Sequence, residues 1–291
     1  MELIYRSVKE LFQLADQIDG GLVEAIIKVE AFTTDKTESE IKAKMQENLE
    51  VMRKAIEDGK AEEIKSPSGL VGGEAARLES FQSPWATGIH QKAAANAVAV
   101  AGVNACMGRV VASPTAGASG IVPAVIFAIA EENDISDDRL VESLFVAAAL
   151  GRVVAKKATL AGAAGGCQAE CGVGAGMAAG AAVYLGNGSK EMIGHGFSLA
   201  LKNLLGLVCD PVAGLVEVPC VKRNGFAASH AITGATMALA GIESKIPADD
   251  VIMAMKDIGE QLPLSLKETS EGGLAVTETG LEIKESLDFL G

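Results

Sequence analysis

Cysteine is the residue type in this sequence that is best suited to hold a metal or to act as a nucleophile. The chain has 291 residues and five cysteines, which are Cys106, Cys167, Cys171, Cys209 and Cys220. An odd number in a chain of this length does not match the paired framework of a small secreted protein. Their spacing also differs from the two-residue spacing of zinc ribbons and bacterial ferredoxins. Spacing alone therefore leaves open both a metal site and small buried side chains.

The sequence around the cysteines favours metal binding for some of them. Cys167, Cys209 and Cys220 lie in segments rich in glycine or proline, where the backbone can wrap closely around a bound group. Cys106 lies within an apolar run that is typical of a helix, so it fits the interpretation as a buried apolar side chain. Cys171 is compatible with that interpretation too.

Cationic and hydroxyl side chains near these segments are candidates for binding a substrate. Lys222, Arg223 and Asn224 come shortly after Cys220, and two cations with an amide suit a carboxylate, although a solvated loop has the same composition. Hydroxyl groups in glycine-rich loops can form anion-binding nests, or can serve ordinary turns. The loop residues concerned are Ser66, Ser68, Gly69, Ser113, Thr115 and Ser119.

Two other kinds of site receive little support from the sequence. The three histidines, His90, His195 and His230, have no serine or aspartate at the spacing of a hydrolase triad. Residues 174–179 match a loose dinucleotide-binding pattern, but no strand precedes them as that motif requires. We interpret this glycine-rich segment as a surface for close helix packing.

Composition and charge exclude further classes. The net charge of −13 repels phosphate backbones, so nucleic-acid binding is not expected. The N-terminal residues lack the pattern of a signal peptide, which makes a reducing cytoplasm the expected location. Residues 158–186 contain Glu170 as their one charge, and their length would permit a membrane span. Their high alanine and glycine content favours a buried helix instead.

Helical patterns dominate the chain, and no repeated alternation typical of a sheet is present. We predict a mainly α fold, a compact helical domain covering residues 1–291, with N-terminal helices in 1–60 and the site in 61–291. Thr37 begins a capping box with Glu40, and Pro123 lies in the first turn of its helix. The predicted helices are 7–17, 22–32, 38–58, 88–107, 121–131, 137–157, 173–184, 189–205, 225–241 and 249–260.

Four polar, glycine-rich loops interrupt these helices, at residues 66–74, 113–120, 162–166 and 209–224. Such loops are costly in a helical protein unless they serve a common purpose. We expect them to converge on one site, where helix N-termini would favour an anion.

The longest of these motifs resemble those of iron–sulfur-dependent L-serine dehydratases, in their α subunit or catalytic domain. The resemblance extends over residues 66–280. Its carriers are Ser-Pro-Ser-Gly-Leu-Val-Gly-Gly-Glu at 66–74, Ser-Pro-Thr-Ala-Gly-Ala-Ser-Gly-Ile-Val-Pro at 113–123, Gly-Gly-Cys-Gln-Ala-Glu at 165–170 and Leu-Gly-Leu-Val-Cys-Asp-Pro-Val-Ala-Gly-Leu-Val-Glu-Val-Pro-Cys-Val-Lys-Arg-Asn at 205–224.

The resemblance implies a cofactor and a reaction. It implies a [4Fe-4S] cluster held by Cys167, Cys209 and Cys220, with one iron left open as a Lewis acid. It implies dehydration and deamination of L-serine to pyruvate and ammonia, without pyridoxal phosphate. Members of the family often have other residues at the positions of Cys106 and Cys171, so these two are not expected to be ligands.

The sequence departs from the family pattern in two places. Many relatives carry a second domain with a Ser-Ser-His-Thr-like motif, which is absent here, so the resemblance implies a separate β subunit. That partner is also where the base for the α-proton is expected. Some single-chain relatives end in a cysteine that caps the open iron, whereas residues 287–291 contain none.

Two other functions remain compatible with the sequence. An L-cysteine desulfidase would use a similar helical domain and the same ligands, and would eliminate sulfide instead of water. A non-enzymatic protein with a structural zinc or cluster site would fill every metal position with protein ligands.

Overall fold

A computed structural model describes residues 3–85 and 88–288 of the chain. Within these ranges the protein has 13 α-helices and no β-strand, which confirms the prediction of a mainly α fold. The helices are α1 (Val8–Ala15), α2 (Gly21–Thr34), α3 (Glu38–Gly59), α4 (Glu74–Ser80), α5 (Ile89–Ala105), α6 (Ile121–Asn133), α7 (Asp137–Lys157), α8 (Gly162–Gly165), α9 (Cys171–Leu185), α10 (Lys190–Lys202), α11 (Cys220–Leu239), α12 (Ala248–Gln261) and α13 (Glu278–Asp288).

Local capping explains why several helices begin where the sequence predicts. Thr37 accepts a hydrogen bond from Glu40 N at 3.2 Å, and Glu40 Oε2 accepts one from Thr37 N at 2.8 Å, so the predicted capping box is confirmed. Helix α7 has the predicted bounds, with acidic residues in its first turn and basic residues in its last turn.

Helix α9 lies at the centre of the fold and is buried along almost its whole length. Its small residues allow neighbouring helices to approach closely. A Cβ added at Gly176 would lie 2.9 Å from Phe197 Cδ2, and one at Gly180 would lie 2.4 Å from Leu150 Cδ1. This agrees with the interpretation of residues 174–179 as a packing surface. Among the described residues, every helix is too short or too polar to cross a membrane.

The N-terminal helices share an apolar core with the glycine-rich helices. Leu11 of α1 and Leu49 of α3 belong to the same cluster of buried side chains as Phe197 of α10 and Ile252 of α12. Burial of these side chains away from water is the main contribution that joins the first helices to the rest.

The structure corrects several predicted boundaries. Helix α11 begins at Cys220, not at residue 225, because Pro219 precedes the first helical turn, where a missing N–H is tolerated. Cys106 lies at the C-terminal cap of α5 and is partly exposed, not inside the helix. Helices α4 and α13 lie in segments for which no helix was predicted, and the short helix α8 occupies most of the predicted loop at 162–166. The cysteine-free tail noted above extends into residues 289–291, which lie outside the described residues.

Candidate metal and substrate site

Four of the five cysteines come from neighbouring elements and meet in one place. Cys167 begins a 3-10 turn ahead of α9, and Cys171 is the first residue of α9. Cys209 lies in the loop after α10, and Cys220 is the first residue of α11. Interactions with Cys171 and Cys209 lower the pKa of Cys167, and the charge of Cys167 contributes to raising the pKa of Cys220, so the four thiols lie close to one another. The structure thus brings together the three predicted ligands and also Cys171, which was not predicted to take part.

The electrostatic interactions among these four cysteines favour one of them as a thiolate. Hydrogen bonds from Cys171 and Cys209, with the charge of Arg223, hold the pKa of Cys167 well below its usual range. The same interaction with Cys167 raises the pKa of Cys171 and of Cys209, while burial raises the pKa of Cys220 to about 12. The backbone N–H of Cys171, at the N-terminus of α9, also contributes to lowering the pKa of Cys167. A helix N-terminus favours negative charge, as a thiolate or an anionic cluster requires.

The loop that carries Cys209 is fixed by its backbone and by a buried ion pair. Cys209 N donates to Leu266 O at 2.9 Å, and Glu268 N donates to Cys209 O at 2.7 Å. Arg223 donates to Val208 O at 2.9 Å and to Asp210 Oδ1 at 2.8 Å. Both neighbours of Cys209 are therefore held by one guanidinium from α11.

Gln168 connects the Cys167 turn to two other segments. Its amide is fully buried, and Nε2 donates to Gly165 O at 2.8 Å and to Met255 O at 3.0 Å. Its Oε1 accepts from Gly206 N at 3.0 Å, just before the Cys209 loop. A buried amide with these partners is fully satisfied, so Gln168 stabilises the relative positions of both loops.

Glu170 is a half-buried carboxylate beside the thiols. Its Oε1 accepts from Thr115 Oγ1 at 2.7 Å, and its Oε2 lies 4.0 Å from Cys209 Sγ. Burial raises the pKa of Glu170 to about 7. Possible ligand atoms of Glu170, Cys209 and Glu268 all lie within 4.8 Å of one another.

The residues around the thiols fit an iron–sulfur cluster. Thiolates are the usual protein ligands of such clusters, and an added carboxylate is compatible with iron. Gly162 keeps this space open, because a Cβ there would lie 2.5 Å from Glu170 Oε2 and 3.1 Å from Cys209 Sγ. This donor set is suited to the group that the resemblance implies.

The predicted hydroxyls of residues 66–69 contact a carboxylate of the protein itself. Ser66 Oγ and Ser68 Oγ each donate to Glu217 Oε2 at 2.6 Å. Gly69 forms the turn between them and Val71 with a positive φ of 77°. Glu217 was not predicted as a site residue, although it lies within the motif that ends at Asn224.

The loop at residues 113–120 turns only one predicted hydroxyl toward the thiols. Thr115 reaches Glu170, as described above, whereas Ser113 is buried with backbone carbonyls as its weak partners, at 3.4 and 3.5 Å. The buried hydroxyl of Ser119 has no hydrogen-bond partner among the described residues.

The three polar residues after Cys220 are helical and already paired. Lys222 Nζ forms an ion pair with Glu74 Oε1 at 2.7 Å, and its side chain remains 44% exposed. Arg223 holds the Cys209 loop. Asn224 is fully buried, accepts from Gly120 N at 3.1 Å, and donates to Gly117 O and Cys220 O at 2.8 and 3.0 Å. Asn224 therefore fixes the second loop, residues 113–120, to α11.

Two of the three histidines make backbone contacts between segments. His230 Nε2 lies 2.9 Å from Ala200 O, and His195 Nδ1 accepts from Ser244 N at 3.3 Å. These contacts agree with the absence of a predicted triad.

Comparisons with known proteins place the chain among enzymes of one kind. The family model described as "Serine dehydratase alpha chain" matches residues 19–275. The chain is 45% identical to the "Probable L-serine dehydratase, alpha chain" of Bacillus subtilis, over 98% of this chain and 95% of that protein. It is 36% identical to the "L-serine dehydratase, alpha chain" of Peptoniphilus asaccharolyticus, over 98% of each.

A longer relative matches as well. The chain is 37% identical to the "L-serine dehydratase" of Streptomyces coelicolor, over 94% of this chain but only 61% of that protein. The family expected from the motifs is confirmed by these matches. This chain belongs to the serine dehydratase alpha chain family.

Proposed function

We propose that this chain is the cluster-bearing catalytic chain of an L-serine dehydratase, which converts L-serine to pyruvate and ammonia. The observation that carries the proposal is the meeting of Cys167, Cys209 and Cys220 beside Glu170, in a member of this family. In this proposal the three cysteines hold a [4Fe-4S] cluster. Such a cluster, when bound, supplies a Lewis acid at the iron that has no cysteine ligand, which makes the serine hydroxyl a better leaving group.

The protein's own residues support this chemistry in distinct ways. The N-termini of α9 and α11 offset negative charge at Cys167 and Cys220. Arg223 fixes the Cys209 loop, and Thr115 fixes the carboxylate of Glu170. Burial of Cys167 and Cys209 excludes water from their thiols, whereas Cys220 is partly exposed.

The predicted substrate residues divide into two groups in this proposal. One group remains in the substrate site, because its members lie on or beside the segments around the carboxylates of Glu217 and Glu170. These residues are Ser66, Ser68, Gly69, Thr115 and Lys222. Ser113, Arg223 and Asn224 serve the framework of the site, because their polar atoms face other protein atoms.

We also propose a β subunit that forms a heterodimer with this chain and supplies the α-proton base. The names of the Bacillus and Peptoniphilus relatives as alpha chains support a separate partner. The Streptomyces "L-serine dehydratase", of which this chain covers 61%, contains a further region that is consistent with a role for a second component. Residues 1–291 would form one catalytic domain, operating without pyridoxal phosphate in the reducing cytoplasm that keeps its thiols free.

Anaerobic reconstitution tests the function directly. The purified chain, loaded with iron and sulfide, is assayed for pyruvate from L-serine and from L-cysteine, with and without the β subunit. We expect about four irons per chain and turnover of L-serine that requires the cluster. Turnover in iron-free protein would contradict the proposal, and a preference for L-cysteine would favour a desulfidase.

A further inference from the structure

Glu217 is a buried carboxylate that lacks a cationic partner. Its residue is only 5% exposed, yet none of the ion pairs among the described residues includes it. Both of its hydrogen bonds, from Ser66 and Ser68, reach the same oxygen, Oε2. The other oxygen, Oε1, receives no hydrogen bond from the described residues. Burying a charge in this way is costly unless a counter-charge is supplied.

The cations near Glu217 along the chain are already occupied. Lys222 pairs with Glu74, and Arg223 pairs with Asp210. Cys106 is close enough for the charge of Glu217 to contribute to raising its pKa, after burial, but a thiol supplies no positive charge. The chain thus provides two hydroxyl donors for this carboxylate and leaves the positive partner to come from elsewhere.

The position of Glu217 relates it to the proposed reaction. It lies on the segment that joins Cys209 to Cys220, and its carbonyl accepts from Val221 N at 3.0 Å in the first turn of α11. Its neighbour Val216 reaches the second loop, where a Cβ at Gly117 would lie 3.2 Å from Val216 Cγ1 and 3.8 Å from Glu170 Oε1. The segment therefore lies between both hydroxyl-bearing loops.

We infer that Glu217 binds the α-ammonium group of the amino-acid substrate, and that Ser66 and Ser68 are positioning residues for it. The inference rests on the proposed function, because a β-hydroxy amino acid brings the required cation with it. Two hydroxyls on Oε2 hold the carboxylate in one orientation and direct Oε1 toward the ligand. The site would then select substrates by their amine, while the hydroxyl is left for the cluster.

The test compares ligands with and without the amine, in the cluster-loaded enzyme with its β subunit. L-Serine carries the ammonium group, whereas 3-hydroxypropanoate is the same molecule without it. In Glu217→Gln we expect KM for L-serine to rise about a hundredfold, with a smaller change in kcat, since a buried charge pair is lost. The inhibition constant of 3-hydroxypropanoate should change less than about threefold, because that ligand never contacts the charge.

Control variants separate this role from a structural one. Glu79→Gln makes the same change of charge at an exposed pair with Lys60 and should leave both constants unchanged. Glu217→Asp keeps the charge and should recover much of the preference for L-serine. Equal weakening of both ligands in Glu217→Gln, or an unchanged KM for L-serine, would overturn the inference. If Glu217→Gln does not fold, the same two ligands are compared in Ser68→Ala, which removes one hydrogen-bond donor to Glu217. A lower preference for L-serine over 3-hydroxypropanoate would support the inference, and an unchanged preference would overturn it.

The two proposals fail in different ways. A wild-type enzyme that does not turn over L-serine disproves the proposed function before Glu217 is tested. An active enzyme whose preference for the amine does not depend on Glu217 disproves only this inference.

Discussion

Two loops of similar sequence donate hydrogen bonds to different carboxylates, those of Glu217 and Glu170, and these carboxylates have different surroundings. The first loop, residues 66–73, and the second loop, residues 113–120, both begin with Ser-Pro and are rich in glycine. The first loop directs two hydroxyls to one oxygen of Glu217. The second directs only Thr115 to Glu170, which in turn lies 4.0 Å from the sulfur of Cys209.

The difference shows that composition did not determine what each loop does. The second loop is fixed to α11 by Asn224 and contacts Glu170, so we assign Glu170 to the cluster side of the proposed site. The first loop lies beside the Lys222–Glu74 ion pair and contacts Glu217, so we assign Glu217 to the substrate side. Variants on the two sides should therefore differ in whether they lose iron or lose affinity for the substrate.

The largest effect is expected at a proposed cluster ligand. Cys209→Ser should lower activity by at least about a thousandfold, since the proposed Lewis acid would contribute several kcal/mol to the rate. Iron content, measured on anaerobically reconstituted protein, should fall in parallel. Retained activity in this variant would show that Cys209 does not hold the cluster.

Loss of the amide behind the second loop should reduce stability. Asn224→Ala leaves the N–H of Gly120 and the carbonyl of Gly117 without their partner, so we expect the free energy of unfolding to fall by about 2–4 kcal/mol. Urea denaturation measures this difference. Asn203→Ala is a suitable control, because that residue is exposed and, among the described residues, its side chain donates only to Leu199 O. Equal losses in the two variants would argue against the anchoring role of Asn224.

Filling the space beside the thiols should lower iron content without unfolding the protein. Gly162→Ala places a Cβ against Glu170 Oε2 and Cys209 Sγ, and we expect activity and cluster occupancy to fall about tenfold to a hundredfold through overpacking. Gly102→Ala is the matched control, because a Cβ there meets no atom within 4 Å. Normal iron in Gly162→Ala would place the cluster away from this wall.

The smallest effect is expected at the remaining cysteine. Cys106 lies at the end of α5, close to Glu217 and Glu74. It is not among the four thiols that come together, and it does not belong to the second loop. Cys106→Ser should change activity and iron content by less than about twofold, as for a surface substitution that removes no specific contact. A clear loss of iron would extend the cluster side of the site to the first loop.

Much of the fold was predictable from the sequence because its signals are local. The capping box at Thr37 and the charged ends of α7 specify helix ends through contacts within a few residues. The start of α11 was not predicted, because Pro219 and the nearby glycines resemble loop composition even though a proline is compatible with a helix start. The helix α13 has a weakly apolar sequence and was missed for that reason.

The site was predictable only in part, because its contacts join distant segments. The motifs around Cys167, Cys209 and Cys220 identified the family, but the partners of the hydroxyls depend on tertiary contacts. Thr115 and Glu170 are 55 positions apart, and Ser68 and Glu217 are 149 positions apart. An acidic residue among small and apolar immediate neighbours was the one local signal that pointed to these carboxylates.

The backbone of Cys209 has a consequence for when the site can form during synthesis. Its amide and carbonyl pair with Leu266 and Glu268, which the ribosome adds only after α11 and α12. The helices and turns that contain the other cysteines can form earlier. The backbone of Cys209 has no hydrogen-bond partners until this later segment has been synthesised. In the proposed function, cluster insertion would therefore follow translation of nearly all the helices, and a chain arrested at α12 would expose Cys209 without its backbone partners.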